Sequence, residues 1–196
     1  MKIKRENIFK KYKWLKDKQR PFIISADYDG IICSAFLAHH LDWNLVGYYN
    51  YESIWLSDEA TKNKKDIIWV DLNILPKSGK SIGGHIVSLD GEVQPGFTSS
   101  CNPNLLSGLT SKDFKNKYSF STLLFLLWLH NIEYKKNDIG RMLIMHSDNT
   151  WMKLQKYSEN ILHWMSIFPD FNWKKMFNHV DSLEYESKVD QFLYPK

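Results

Sequence analysis

Two aspartates separated by one residue, Asp27 and Asp29 in the run FIISADYDGIICS, form the strongest chemistry-bearing signal in this chain. They follow a short apolar run that reads as a buried strand and precede a helical stretch. In an open α/β sheet this is the strand end where sites form. Two carboxylates there repel one another unless a cation joins them, and a helix N-terminus beside them favours anions. Oxygen-rich sites of this kind suit Mg²⁺ or Mn²⁺. Gly30 lets the backbone turn sharply and leaves room for a substrate phosphate. A helix-capping Asp followed by a surface Asp would give the same letters, but the buried strand in front favours the metal reading. Asp71 repeats the arrangement at the end of Ile67-Ile68-Trp69-Val70. If the two strands are neighbours, Asp71 bridges metals held by Asp27 and Asp29. Asn102 and Asn104 are candidates to line the same pocket, because amides hold phosphate or ribose, although Asn-Pro is equally a turn former.

The elements that must position these residues follow from the apolar pattern. Residues 5–18 carry Ile8, Phe9, Tyr12, Trp14 and Leu15 at helix-like spacing, and Pro21 ends that segment. Strands are expected over 22–26, 45–49, 67–70 and 86–89, with helices over 31–41 and 57–65 between them. This alternation predicts an α/β fold with a doubly wound, mostly parallel sheet. A long irregular stretch over 91–108, punctuated by Pro95, Gly96, Pro103 and Gly108, has the length of a functional loop. From residue 119 the pattern turns helical, over 120–129, 139–145 and 152–168. The expected division is a basic amphipathic segment, residues 1–20, and one α/β domain, residues 21–196.

At this point the chain resembles the DHH phosphoesterases, and among them the RecJ-like nucleases. The first two motifs of that family look like ADYDGIICSAFLAHHL and IIWVDLNI in this sequence. The third, which names the family, falls on SIGGHIVSL, so that Gly83-Gly84-His85 stands where the DHH triplet would be. The stretches CNPNLLSG and YSFSTLLFLLWL resemble later RecJ-like elements, and MLIMHSDNTW resembles a fourth motif with Asp148. The likeness runs over about residues 21–155. It implies metal ligation by Asp27, Asp29, Asp71 and Asp148, one or two Mn²⁺ or Mg²⁺ ions, and a phosphate contact from His85. It departs at the first His and the Asp of the triplet, and at Ser25, where a supplementary His or Asp would stand. The family's C-terminal substrate-binding domain also finds no counterpart in 196 residues. A small substrate, or a protein partner supplying that surface, is the expectation.

Composition bounds the alternatives. A hydrophobic fraction of 43% and an aromatic fraction of 15% suffice for a real core. No run approaches the roughly 20 apolar residues of a membrane helix, and the charged N-terminus carries no signal-peptide core. Cys33 and Cys101 lack CxxC spacing and read as reduced thiols, so a cytoplasmic location is expected. Residues 1–20 carry nine Lys/Arg against Glu6 and Asp17, a charge of +7 that leaves −3 on the remainder of a chain of net +4. Such a basic segment suits a phosphate-rich partner, or is simply a solvated helix face. His39 and His40 are adjacent on a helix, point about 100° apart and do not chelate one metal.

Three functions are consistent with these residues. The first is a metal-dependent phosphodiesterase, a hydrolase acting on single-stranded nucleic acid, oligonucleotides or a nucleotide phosphoester, with the basic segment attracting the polyanion. The second is a catalytically degenerate DHH-like module that binds nucleic acid or protein. The third is a HAD-type phosphatase in which Asp27 and Asp29 serve as nucleophile and acid/base; against it, Ile31 replaces the expected Thr and Asp71 has no role.

Overall fold

A computed structural model describes residues 2–89, 94–132, 138–150, 153, 156–177 and 182–193. Parts of the expected 91–108 loop and 152–168 helix lie outside the described residues. The chain forms an α/β structure around a six-stranded, mostly parallel sheet. The strands are β1 (Pro21–Ser25), β2 (Asn44–Tyr49), β3 (Ile54–Leu56), β4 (Ile68–Val70), β5 (Lys80–Ile82) and β6 (Ser100–Cys101). Their spatial order is β3-β2-β1-β4-β5-β6, with β3 alone antiparallel to its neighbour. From β1 the chain builds outward through β2 and β3, then returns to lay β4, β5 and β6 on the other side. The order therefore reverses between β1 and β4, which are hydrogen-bonded with Ile24 opposite Val70.

Both faces of the sheet are covered. Phe22, Ile24, Ile68, Val70 and Ile82 pack in one cluster with α2 (Tyr28–Leu41) and α5 (Thr122–Leu129). Ile23 and Ile67 pack with Leu72 and with Ala60 of α3 (Asp58–Lys62) on the other. Besides Gly30, the buried residues of α2 are Asp29, Cys33, Leu37 and Leu41, a four-residue spacing that keeps one face on the sheet. All eight residues of α5, TLLFLLWL, are buried, as a helix apolar on every side must be. Four further helices, α4 (Pro103–Leu106), α6 (Asp138–His146), α7 (Ser158–Ile167) and α8 (Trp173–Phe177), precede α9 (Ser182–Leu193).

The expected N-terminal helix is interrupted. It runs as α1 (Arg5–Lys11), breaks at Tyr12, and resumes as a 3-10 turn over Lys13–Lys16. Tyr12 and Trp14 are both buried, and residues two apart lie on opposite sides of a continuous α-helix. The break brings both rings inward, and Tyr12 anchors it by donating its hydroxyl to the Ser100 carbonyl at 2.8 Å. Ile3, Ile8 and Leu15 join the same core as the sheet.

The expected strand at 86–89 is replaced by β5, which begins six residues earlier, at Lys80. Gly83 packs on the Asp71 backbone and Gly84 on the Tyr118 ring, so the chain leaves the sheet at the glycine pair. Within the expected strand, Ser88 forms an isolated bridge to Thr110. The strand β3 and the two-residue β6 lie outside the expected set.

Candidate functional site

Because β1 and β4 are parallel neighbours, the residues that follow them emerge side by side. Asp27 follows β1 and caps α2, its Oδ1 accepting from Gly30 N–H at 2.9 Å. The helix therefore starts at Tyr28, not at residue 31, and Asp29 lies in its first turn, 2% exposed. Gly30 is required by this turn: a Cβ there would meet the Ser25 carbonyl oxygen inside contact distance. Its hydrogen is spent on helix–strand packing, a more immediate demand than room for a phosphate.

Asp71 follows β4 with φ of 62°, a left-handed conformation that Asp tolerates better than most residues. It is 1% exposed. Its Oδ2 accepts from Ser25 Oγ at 2.7 Å, and its Oδ1 from Thr122 Oγ1 at 2.6 Å and His85 Nε2 at 2.8 Å. His85 reaches it from the segment after β5. That segment is clamped by Asn104, whose Nδ2 donates to the carbonyls of Gly84 and Ile86, and by Asn102, which donates to Ile86. Asn104 Oδ1 also accepts from Tyr118 N–H at 2.6 Å. Both asparagines are buried, so neither lines the cleft as expected. They hold the two peptide carbonyls flanking His85.

Asp148 arrives from the turn after α6, at φ of 54°. Its Oδ2 is 3.8 Å from His85 Nε2 and 3.8 Å from Lys153 Nζ. Asp29 faces α5: its Oδ2 accepts from Thr122 N–H at 2.6 Å and its Oδ1 from Leu123 N–H at 3.2 Å. A carboxylate at a helix N-terminus satisfies donors that have no partner inside the helix. The Cys33 thiol approaches Oδ1 at 3.7 Å.

The electrostatics follow from this crowding. Burial pushes the Asp29 carboxyl well above the ordinary range, and the charges of Asp71 and Asp148 push it the same way, against the two backbone N–H donors. Burial also raises Asp27, opposed by the Gly30 N–H and reinforced by Asp71. Burial pulls His85 down, but the Asp71 hydrogen bond and the charges of Asp71, Asp148 and Asp27 outweigh it, leaving the imidazole raised.

Of the four carboxylates, Asp71 and Asp148 form the described ion pairs, with His85 and Lys153 as their cationic partners. Fully ionised, the group retains two negative charges, the deficit that one divalent cation neutralises. The donor set, oxygens of Asp27, Asp29, Asp71 and Asp148, is of the hard kind that Mg²⁺ and Mn²⁺ accept. Among the described residues, no three His, Cys, Asp or Glu side chains stand close enough together to grip an ion as they are. His85 Nε2 and Thr122 Oγ1 share the Asp71 oxygen that points between them.

Contacts join three of the five expected acid and histidine positions, Asp71, Asp148 and His85, while Asp27 and Asp29 are linked to the other acids by electrostatic influence. Thr122 and Lys153 join them without having been read from the sequence. Thr122 had one usable signal, its position after Ser121 at the start of an apolar helix, where side chain and backbone donors are exposed. Lys153 had none.

The basic segment stands elsewhere. Asn44 N–H donates to the Arg20 carbonyl at the start of β2, Gln19 N–H to Leu41, and Lys18 Nζ to His40, the last turn of α2. These are the amino ends of the strands, while the acids crown the carboxyl ends. A five-residue strand separates the two by roughly 15 Å. His40 stacks on Phe36 at that same end, with ring centroids 5.2 Å apart. No helix among the described residues is long and apolar enough to cross a membrane. Comparison of the chain with protein-family models, with curated proteins and with solved structures returned no match.

Proposed function

We propose that this protein is a divalent-metal-dependent phosphodiesterase acting on single-stranded nucleic acid or short oligonucleotides. The observation that supports the reading is the contact of His85 with Asp71 and its approach to Asp148, beside Asp27 and Asp29 at the end of the adjacent strand, where the sheet order reverses. Ligands of open α/β sheets bind in that crevice. Four acids gathered there cost stability through burial and mutual repulsion, a cost that binding a cation offsets.

In this reading Asp27, Asp29, Asp71 and Asp148 hold one or two Mn²⁺ or Mg²⁺ ions. When bound, such an ion neutralises phosphate charge and acidifies a water. His85, whose proton affinity the Asp71 hydrogen bond and the charges of Asp71 and Asp148 raise, would offer a donor that orients the scissile phosphate. Ser25 and Thr122 hold the Asp71 carboxylate in one rotamer. Lys153 adds positive charge on the Asp148 side, where His85 also approaches. The resemblance to DHH phosphoesterases agrees with this assignment, with the glycine pair before His85 standing in the place of the family's Asp and first His, the latter normally a metal ligand.

The test is incubation of the protein with labelled single strands, dinucleotides and cyclic nucleotides in Mn²⁺, Mg²⁺ and Co²⁺. Metal-dependent cleavage, lost in Asp27→Ala and Asp71→Ala, is expected. No cleavage of any of these substrates with any of the metals would sink the proposal. A second reading, a non-catalytic binding module of the same fold, draws on one observation: the oxygens of Asp29 and Asp71 already serve protein donors. It is favoured if oligonucleotide binding persists while millimolar Mn²⁺ produces no calorimetric heat.

A further inference from the structure

The hairpin of β2 and β3 carries an aromatic surface that the acid cluster does not account for. Tyr48 and Trp55 are opposite one another in register, 43% and 56% exposed, with rings stacked at 20° and centroids 6.3 Å apart. Tyr51, in the connecting turn, is 64% exposed. Its φ of 71° is rare for a large side chain, and such outliers persist where the surroundings enforce them. The enforcement is visible: Asn50 Oδ1 accepts from the N–H groups of Glu52 and Ser53, and Tyr49 donates its hydroxyl to the Tyr51 carbonyl.

This turn adjoins the acids. Tyr49 carbonyl accepts from Ala26 N–H at 2.8 Å, one residue before Asp27. The charges of Asp27, Asp71 and Asp148 all act on the Tyr51 hydroxyl. Tyr51 is three residues from Tyr48, at most about 10 Å along the chain, a distance that one or two nucleotides span.

We infer that Tyr51 and the Tyr48–Trp55 pair form a base-stacking platform for the single-stranded nucleic acid whose phosphate sits at the acid cluster. The inference rests on the phosphoester reading of that cluster. Flat, exposed rings that are tolerant of sequence are the recurring means of holding single strands. A second copy of the chain is the poorer occupant. Three aromatic side chains of about 150–250 Å² each, roughly half exposed, offer far less than the ~800 Å² per partner of a stable interface. The edge strand beside them is only three residues long.

The test compares binding of a six-nucleotide thymidine strand and of an abasic phosphodiester of equal length to the full chain, with and without Mn²⁺. The variants are Tyr51→Asn, which suits a left-handed position, and Trp55→Thr, which suits a strand. Wild type should bind the base-bearing strand about tenfold or more tightly than the abasic one, and either variant should lose most of that difference. Exposed Trp55 supplies a second readout, fluorescence quenching by bases that Trp55→Thr lacks. Equal affinity for both ligands, or variants indistinguishable from wild type, overturns the platform. Mn²⁺-dependent cleavage with KM unchanged in both variants overturns the platform and leaves the catalytic proposal standing. Base-dependent binding without cleavage upholds the platform and removes catalysis. A dimer that Trp55→Thr dissociates would assign the surface to self-association instead.

Discussion

His85 Nε2 lies 2.8 Å from Asp71 Oδ1 and 3.8 Å from Asp148 Oδ2, so one imidazole joins acids from the end of β4 and the turn after α6. It does for these carboxylates part of what a cation would do. In the phosphodiesterase reading the same imidazole also donates to the bound phosphate. His85→Asn should therefore lower kcat by about 10²-fold or more, in the range of a lost acid–base or orienting group. Steady-state kinetics with an oligonucleotide would show it, and an unchanged kcat would remove His85 from the site.

Asn104 offers a test of positioning at a distance from the chemistry. Its amide satisfies Gly84, Ile86 and Tyr118 backbone groups at once. Asn104→Ala strands buried donors and acceptors at about 1–3 kcal/mol each where water cannot replace the partner. A loss of roughly 2–4 kcal/mol in urea unfolding is expected. Activity of the folded fraction should fall too, because the lost bonds flank His85. A variant as stable as wild type would show that the clamp is not needed.

Much of the site was legible in the chain because its two strongest parts are local. FIISAD and IIWVD are short apolar runs ending in acid, and buried parallel strands read that way. The rest depended on distance. Asp29 meets Thr122 and Leu123 more than 90 residues on, and nothing in DYDG announces that its carboxylate caps a remote helix. The strand Lys80–Ile82 escaped notice since two of its three residues, Lys80 and Ser81, are polar, while the more apolar 86–89 is held by asparagine side chains instead of a ladder. Asp27 looked like an exit turn because a capping carboxylate and a turn carboxylate share the same letters. The basic segment was visible as charge, but only the fold puts it at the amino ends of the strands, away from the acids.

In the metal-site reading, the elevated Asp29 carboxyl couples cation binding to proton release. A ligand carboxylate must be ionised, so an acid whose proton affinity burial and the charges of Asp71 and Asp148 raise would release a proton as a cation binds. Mn²⁺ affinity should rise with pH above the ordinary carboxylate range of about 4. Calorimetry in buffers of different ionisation enthalpy should report proton release that Asp29→Asn abolishes. Buffer-independent heats in wild type would contradict this.

At the other end of the sheet His130 sits among Phe9, Phe36 and His40 rings, its Nε2 buried without a partner among the described residues. Burial, aided by His40, Lys18 and Lys16, takes its pKa from 6.5 down to about 4. A depressed histidine binds fewer protons folded than unfolded between those values. Its contribution to stability is therefore complete above pH 6.5 and is lost as pH falls toward 4, by up to about 3 kcal/mol. The stability difference between wild type and His130→Leu, followed by urea unfolding from pH 4 to 7, should grow in favour of wild type with rising pH. A pH-independent difference would contradict it.

The central claim is that the acids above β1 and β4 form a divalent-metal site. Calorimetric titration of Mn²⁺ into the wild-type chain and into Asp27→Asn and Asp71→Asn tests it most directly. Saturable binding of one or two ions by wild type, lost or weakened at least tenfold in each variant, is the expected result. No saturable heat from wild type at millimolar Mn²⁺, or binding that both variants retain unchanged, would contradict it.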